Sequence, residues 1–229
     1  MTPASEVPPP LPSSGPSEPI IVVCTSPKGG SGKSTILRAV AVGAAMEGRR
    51  VTIIDYDAQK TSHNWVRRRA ALEGVAPVSG TLGSWRGLKD EVRQAIETHD
   101  IVLIDTPPSV EEHMTEVSAL LRAAHYVLIP TGPQFEDRDS VKPWMTVIRH
   151  HTKNVAFVLN CVKQNTRSLR NAKLDLVRVG KLCPIEIPDY EDVHLSQEDG
   201  YSVVEISDAS GHAQLAAVWN FVKSELEIQ

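Results

Sequence analysis

Short apolar runs alternate with longer amphipathic segments from Ile20 to the end of the chain. The runs are rich in Val, Ile and Leu, which is typical of strands buried on both faces, and the longer segments repeat apolar residues at helical spacing. This alternation predicts an α/β fold, in which a mostly parallel, twisted sheet carries helices on both faces. The predicted strands are 20–25, 51–55, 76–80, 101–105, 125–130, 154–160 and 184–187. The predicted helices are 33–48, 60–73, 85–98, 110–122, 135–149, 168–179 and 209–226.

The first 19 residues differ from the rest of the chain in composition. They contain seven prolines among Ser, Thr, Glu and Gly, and such a segment has too little apolar surface to order itself. We therefore expect a disordered, Pro-rich tail over 1–19 and a single folded domain over 20–229. The run Pro-Pro-Pro-Leu-Pro at 8–12 suits a docking peptide as well as a plain extension, and the extension is favoured.

Length, composition and cysteine usage are those of a globular domain. The chain has 229 residues, 41% of them hydrophobic, and a net charge of −4, which suffices for a sizeable core. No apolar run approaches the roughly 18 residues of a transmembrane helix, and the N-terminus has no signal-peptide pattern. Cys24, Cys161 and Cys183 are widely separated, which favours reduced cysteines over disulfides or a metal site. We expect a cytoplasmic protein.

Charge is distributed unevenly along the second half of the chain. Residues 149–183 hold eight Lys and Arg and one acid, whereas residues 184–229 hold ten acids and one base. The basic block suits contact with nucleic acid, and it suits a solvated charged face almost as well. Arg167, Arg170 and Lys173 repeat at helical spacing within it and form the candidate nucleic-acid-binding stripe. Arg67-Arg68-Arg69 is a second candidate.

A glycine-rich loop follows the first predicted strand and precedes a helix. Residues 27–35 read Pro-Lys-Gly-Gly-Ser-Gly-Lys-Ser-Thr. A strand, a glycine loop and a helix in this order form a phosphate cradle, because backbone N–H groups and the helix N-terminus point at the anion. In such a loop Lys33 reaches the β- and γ-phosphates and Ser34 binds Mg²⁺. Pro27 replaces the first glycine of the strict pattern, and Lys28 is a second lysine.

Carboxylates end two later strands of the predicted sheet. Asp55 and Asp57 follow the second strand, and Asp105 ends the strand at 101–105. Ligands of open α/β sheets sit at the carboxyl ends of strands, so these acids converge with the glycine loop. ATP hydrolysis needs charge neutralisation, a metal and an oriented water; Lys33 and the loop amides supply the first, and Ser34 supplies a protein ligand to the metal. Asp57 also suits a cap for the helix that begins near Lys60.

Residues 28–35 resemble the deviant Walker A motif of the ParA/MinD family of P-loop ATPases. Residues 51–59 resemble the D-x-D-P-Q motif of that family, with Ala58 in place of proline, and 101–108 resemble its Walker B strand and switch segment. Residues 127–133 and 158–160 resemble its next two core strands. The resemblance covers about 20–225, and it is to the short type without a helix-turn-helix domain, so we do not expect specific operator binding.

The resemblance also implies roles for individual residues. Catalysis is assigned to Lys28, Lys33 and Asp57, with Asp57 orienting the attacking water. Mg²⁺ is assigned to Ser34 and to Asp105, the latter acting through water. The nucleotide is assigned to Lys28, Gly29, Gly30, Ser31, Gly32, Lys33, Ser34, Thr35 and Asn160. Among these, Thr35 is expected at the α-phosphate, and Asn160 at the adenine, with a structural cap as the alternative for Asn160.

The function that the resemblance implies is a slow, partner-stimulated ATPase. Lys28 would reach the nucleotide of a second copy, making an ATP-dependent homodimer. Dimers of the family bind DNA without sequence preference on the nucleoid, and a ParB-like or other adaptor stimulates hydrolysis while a plasmid, a chromosome or a protein complex is positioned. The acidic C-terminal segment argues against recruitment to a membrane. A metabolic P-loop enzyme of the dethiobiotin synthetase-like type is the alternative, and an ATP-holding module with little turnover is a third.

Overall fold

A seven-stranded sheet forms the centre of the molecule. The computed structural model describes residues 18–228. The strands are β1 (Ile20–Cys24), β2 (Val51–Asp55), β3 (Ser79–Leu82), β4 (Ile101–Asp105), β5 (Tyr126–Thr131), β6 (Val155–Val162) and β7 (Lys181–Pro188). Their order is β3-β2-β4-β1-β5-β6-β7, and every neighbouring pair is parallel. The predicted parallel α/β sheet is confirmed.

Helices cover both faces of this sheet. They are α1 (Lys33–Met46), α2 (Thr61–Arg69), α3 (Leu88–Thr98), α4 (Met114–Ala123), α5 (Phe135–Arg149), α6 (Arg167–Val177), α7 (Glu191–Glu198) and α8 (His212–Leu226). Successive strand residues point to opposite faces. In β1, Val22 and Cys24 pack with residues of α1, α2 and α8, whereas Ile21 and Val23 pack with residues of α3 to α6. The core therefore has two layers, as the apolar strands predict.

The phosphate loop lies where the chain reverses its direction across the sheet. β1 stands between β4 and β5. The chain runs from β1 outward to β2 and β3 on one side, and from β5 outward to β6 and β7 on the other. Such a reversal leaves a crevice at the carboxyl ends of the strands, which is where open α/β sheets bind their ligands.

Most predicted elements lie within a few residues of the observed ones. β3 begins at Ser79 and not at 76, α2 ends at Arg69 and not at 73, and β7 extends over Lys181–Pro188. Helix α7 is not predicted, because its eight residues bury only Val193 and Ser196 and so lack an apolar repeat. Just after this helix the chain comes close to α2: Gly200 has φ +88, and a Cβ there would lie 2.6 Å from the backbone nitrogen of Arg69.

The two ends of the chain differ in what the structure describes. The predicted Pro-rich tail, including the possible docking peptide at 8–12, lies outside the described residues up to position 17.

The C-terminal helix packs on α1: Val218 and Val222 are buried, and Phe221 and Leu226 pack against the same core. These four residues form one core-facing stripe on the helix. Within residues 18–228, every helix is too short or too polar to cross a membrane.

Candidate nucleotide-binding site

The loop between β1 and α1 leaves the first turn of a helix open. The residue before α1 is Gly32, with φ +91, and neither a capping side chain nor an acid serves the first turn. Gly30 also has a positive φ, of +73, so both glycines hold a backbone conformation that other residues rarely adopt. The free amides and the helix dipole together favour an anion at this point. A phosphate group fits it.

A cleft of about 590 Å³ opens over this helix end. That volume is typical of small-molecule sites. The phosphate loop, the segments after β2 and β4, the end of β6 and helix α7 form its walls. Lys33, Ser34, Thr35, Asp57 and Asn160 line the cleft together, although they come from separate parts of the sequence.

Lys33 lies at the floor of the cleft and is only 6% exposed. Its Nζ donates a hydrogen bond to the carbonyl oxygen of Lys28 at 3.1 Å. Burial lowers the pKa of Lys33, while Cys24, Asp105 and Asp57 favour its charged form. The loop thus places this cation beside the open helix end, where a phosphate would lie.

Lys28 points away from the cleft of its own chain. Its Nζ lies 2.9 Å from Oδ1 of Asp137, in the first turn of α5, and its side chain is 40% exposed. Lys28 lines a separate cavity of about 170 Å³ with Asp137, and it does not line the larger cleft. The side chains of the two loop lysines therefore point in different directions: Lys33 lies in the cleft, and Lys28 lies outside it.

Asp105 is a fully buried carboxylate at the end of β4. Its Oδ2 accepts a hydrogen bond from the Ser62 hydroxyl at 2.6 Å, whereas its Oδ1 is buried without a partner among the described residues. Burial raises the pKa of Asp105 to about 6, and the hydroxyls of Ser62 and Ser34 lower it in part. Hard cations prefer oxygen ligands. The Ser34 hydroxyl and the unpaired oxygen of Asp105 are therefore suited to Mg²⁺, and the roles predicted for them, a direct ligand in Ser34 and a ligand through water in Asp105, stay predictions.

The raised pKa of Asp105 makes the stability of the free protein depend on pH. The folded chain keeps this proton up to about pH 6, whereas the unfolded chain loses it near 3.8, so stability falls as pH rises through this window. The loss is about 1.4 kcal/mol per unit of pKa, or about 2–3 kcal/mol in total. We expect Asp105→Asn, without nucleotide or Mg²⁺, to raise the melting temperature at pH 7.5.

Calorimetric melts across pH test this expectation. The gain of Asp105→Asn should shrink towards pH 4.5, where the wild-type carboxyl is largely protonated. Asp139→Asn is the control, because Asp139 is 62% exposed and pairs with Lys142 on the surface. A gain of equal size at both pH values would contradict the assignment of the buried proton to Asp105.

Asp55 and Asp57 have different structural roles. Oδ1 of Asp55 accepts from the amide of Asp57 and Oδ2 from the amide of His63, both at 2.9 Å. Asp55 therefore caps helix α2. Oδ1 of Asp57 accepts from the amide of Gln59 at 2.9 Å and not from α2, so the capping alternative for Asp57 is wrong. Asp57 lines the cleft, and its role in orienting water stays a prediction.

Asn160 braces the phosphate loop from the end of β6. Its Nδ2 donates to the carbonyl oxygen of Ser31 at 3.0 Å. A Cβ on Gly32 would lie 2.0 Å from that same nitrogen, so glycine is required there for space as well as for backbone conformation. Asn160 therefore has a structural contact, its hydrogen bond to Ser31, as the structural alternative expects. Asn160 also lines the cleft, so a contact with adenine is compatible with its position. That contact stays a prediction.

The CobQ/CobB/MinD/ParA nucleotide binding domain matches residues 22–203. The chain belongs to this family. An ATP-binding protein of Methanocaldococcus jannaschii, itself uncharacterised, is 24% identical over 246 residues, spanning 91% of this chain and 92% of that protein. The maintenance of carboxysome distribution protein A of Halothiobacillus neapolitanus is 27% identical over 158 residues, spanning 67% and 71%. The cell division protein MinD of Aquifex aeolicus shares the fold, with a TM-score of 0.71 at 17% identity over 90% of this chain and 97% of that one.

The candidate nucleic-acid stripe lies on α6 and is only partly available. Arg167 and Arg170 are exposed, whereas Lys173 forms an ion pair with Glu186 of β7. The second candidate, Arg67-Arg68-Arg69, is wrong as a continuous surface: Arg69 is buried and pairs with Glu205. Arg69 lies on the same face of α2 as the buried residues Trp65 and Val66, so its side chain points towards the core. In this member of the family, α6 remains the candidate surface.

Sequence reasoning missed two parts of the site. Helix α7 contributes Tyr190, at its N-terminal boundary, and Gln197 to the wall of the cleft, and nothing in its pattern signals this. Arg38 also lines the cleft. It is the one charged residue in the apolar stretch Ile36–Ala45 of α1, and that isolation was a signal in the sequence.

Proposed function

We propose that this chain is a ParA-like, Mg²⁺-dependent ATPase that dimerises on ATP, binds DNA without sequence preference and positions a cargo. Hydrolysis gives ADP and phosphate and is stimulated by a ParB-like or other adaptor. The observation that carries the proposal is the direction of Lys28, which leaves the cleft of its own chain and stays accessible beside Asp137. A cation placed in this way can act on the nucleotide of a second copy across a two-fold interface.

The residues of the cleft divide the work of hydrolysis. Bound Mg²⁺ supplies charge neutralisation at the phosphates. Lys33 and the open amides of α1 bind the phosphates, while Ser34 and Asp105 hold the metal. Asp57 orients the water, since its carboxylate lines the cleft outside the phosphate loop. None of these residues forms a covalent bond, as is usual for phosphoryl transfer.

The relatives support positioning as the class of function. One maintains carboxysome distribution, and the 30% identical match over 122 residues is to a ParA protein of Rhizobium radiobacter. The cargo of such an ATPase is a plasmid, a chromosome or a protein complex, and the DNA of the nucleoid is the surface on which it is positioned. The adaptor selects the cargo.

The exposed arginines of α6 supply the contacts to DNA in this proposal. Arg167 and Arg170 form no ion pair among the described residues. Lys173 would first have to leave Glu186. A dimer doubles the number of cations on the surface, so affinity for DNA rises when ATP joins two copies.

Binding to random-sequence duplex DNA with ATP, with ADP and without nucleotide tests the proposal. We expect binding only with ATP, and affinity that falls with salt by a log–log slope of about 0.9 per phosphate contact. The Arg167→Ala/Arg170→Ala double variant should flatten that slope by about 0.9 for each phosphate that it no longer neutralises. Arg93→Ala is the control, since Arg93 is exposed on α3 but paired with Asp90. Bound ATP with no DNA binding in any state would favour the metabolic alternative.

A further inference from the structure

Arg38 is a buried arginine one turn into α1, behind the phosphate loop. Its residue is 4% exposed, and its side chain lines the nucleotide cleft. Nη1 donates to Oε1 of Gln197 at 2.7 Å, and the guanidinium lies 5.7 Å from the ring centroid of Trp65. Nε and Nη2 are buried and have no hydrogen-bond partner within residues 18–228. Much of the donating capacity of this side chain is thus unused.

The guanidinium is charged at neutral pH and lacks a counterion. Burial lowers the pKa of Arg38 to about 10, with Asp105 and Asp55 opposing the shift and Arg68 adding to it. No described carboxylate forms an ion pair with Arg38. Buried charges are normally paired, because removing them from water is costly. A charged, unpaired group at the wall of a cleft indicates an anionic ligand.

The hydrogen bonds of Gln197 place Arg38 close to Thr35. Its Oε1 accepts from Nη1 of Arg38 at 2.7 Å and from Oγ1 of Thr35 at 3.4 Å. One oxygen atom therefore joins Arg38 to the first turn of α1, where the phosphate nearest the nucleoside is expected. Lys33, at the floor of the cleft, is expected to bind the β- and γ-phosphates.

We propose that Arg38 binds the nucleotide, with its guanidinium donating to the α-phosphate of ATP or ADP. This assignment rests on the proposed function in so far as a nucleoside polyphosphate is the ligand. The α-phosphate is common to ATP and ADP, so Arg38 contributes equally to both. In this respect Arg38 differs from Lys28, whose proposed role requires the γ-phosphate. The same residue destabilises the free protein, because its charge is buried without an ion-pair partner until nucleotide binds.

Titration calorimetry with ATP and with ADP, on nucleotide-free protein, tests the assignment. We expect Arg38→Met to weaken both nucleotides by a similar factor of about 10 to 100, the usual effect of losing hydrogen bonds to a charged group. Arg38→Lys keeps the charge but not the fork of donors, so its loss should be smaller. Arg68→Met is the matched control: Arg68 is exposed and donates to the backbone oxygen of Gln197, and its removal should leave both affinities unchanged.

Melting of the nucleotide-free variants separates binding from structure. Methionine fills a similar volume against Trp65 without a buried charge, so Arg38→Met should melt at the wild-type temperature or above it. Wild-type affinity of Arg38→Met for both nucleotides would overturn the assignment, as would a weakened affinity accompanied by a lower melting temperature of the free protein. If Arg38→Met does not fold, wild-type affinity of Arg38→Lys for both nucleotides overturns it. A wild-type protein that binds neither nucleotide would instead refute the proposed function.

Discussion

Lys28→Ala is expected to abolish ATP-dependent dimerisation while each subunit still binds nucleotide. The reason is that Lys28 lies outside the cleft of its own chain, whereas Lys33 lies inside it. The loss of a cation supplied by a second subunit lowers the hydrolysis rate by about 10³–10⁵ in comparable systems. Sedimentation with ATP and with ADP, together with nucleotide titration and ATPase rates, measures all three quantities.

Asp137→Asn is the matched variant for this experiment. It removes the carboxylate that holds Lys28 at 2.9 Å within one chain. This pair is partly exposed, so its loss should change the free energy of unfolding by less than about 1 kcal/mol. Lys28 is then free for a second copy, and we expect dimerisation with ATP to strengthen while the ADP form stays monomeric. Wild-type dimerisation of Lys28→Ala with ATP would contradict the role given to Lys28.

Asp57→Asn should slow hydrolysis by about 10²–10⁴, the contribution typical of a positioned acid–base group. An asparagine still accepts the hydrogen bond from the amide of Gln59 through Oδ1, so the local turn survives. The variant should therefore bind ATP and accumulate as the ATP-bound dimer. Single-turnover hydrolysis and sedimentation of the same samples measure the two effects.

Asp55→Asn distinguishes a chemical role from a structural one. Asp55 accepts two backbone hydrogen bonds and caps α2, and an amide has only one oxygen to replace them. We expect Asp55→Asn to lower the melting temperature, whereas Asp57→Asn should not. Asp57→Asn with a wild-type hydrolysis rate, or with a melting temperature as low as that of Asp55→Asn, would contradict the assignment of water orientation to Asp57.

The sequence predicts the phosphate loop well because its signals are local. A buried strand, three glycines and a helix start lie within Ile20–Thr35, and each depends on its immediate neighbours. The position of Asp105 is also predictable, since a carboxylate at the end of an apolar strand lies at the edge where ligands bind. The helix that Asp55 caps is predictable in the same way, but which of the two nearby acids caps it is not.

The contacts that the sequence did not predict are between distant residues. Lys28 and Asp137 are 109 positions apart, and Arg38 and Gln197 are 159 apart. Helix α7 buries only Val193 and Ser196, and it is joined to distant parts of the chain by the hydrogen bonds of Gln197 to Thr35, Arg38 and Arg68. No local propensity carries such information, because it depends on how the layers pack. The ion pair of Lys173 with Glu186 was unpredictable for the same reason.

The central place of β1 has a consequence for the order of folding. Ile20 pairs with Ile101 and Val22 with Tyr126, so both neighbours of the first strand come much later in the chain. Loop-closure entropy must be overcome before such pairings form, and they are therefore slow. The phosphate loop gains its walls only when β4, β5 and β6 have joined the sheet. A nucleotide that needs these walls binds the native chain and not the unfolded one, so the stability of the fold should rise with the concentration of free nucleotide.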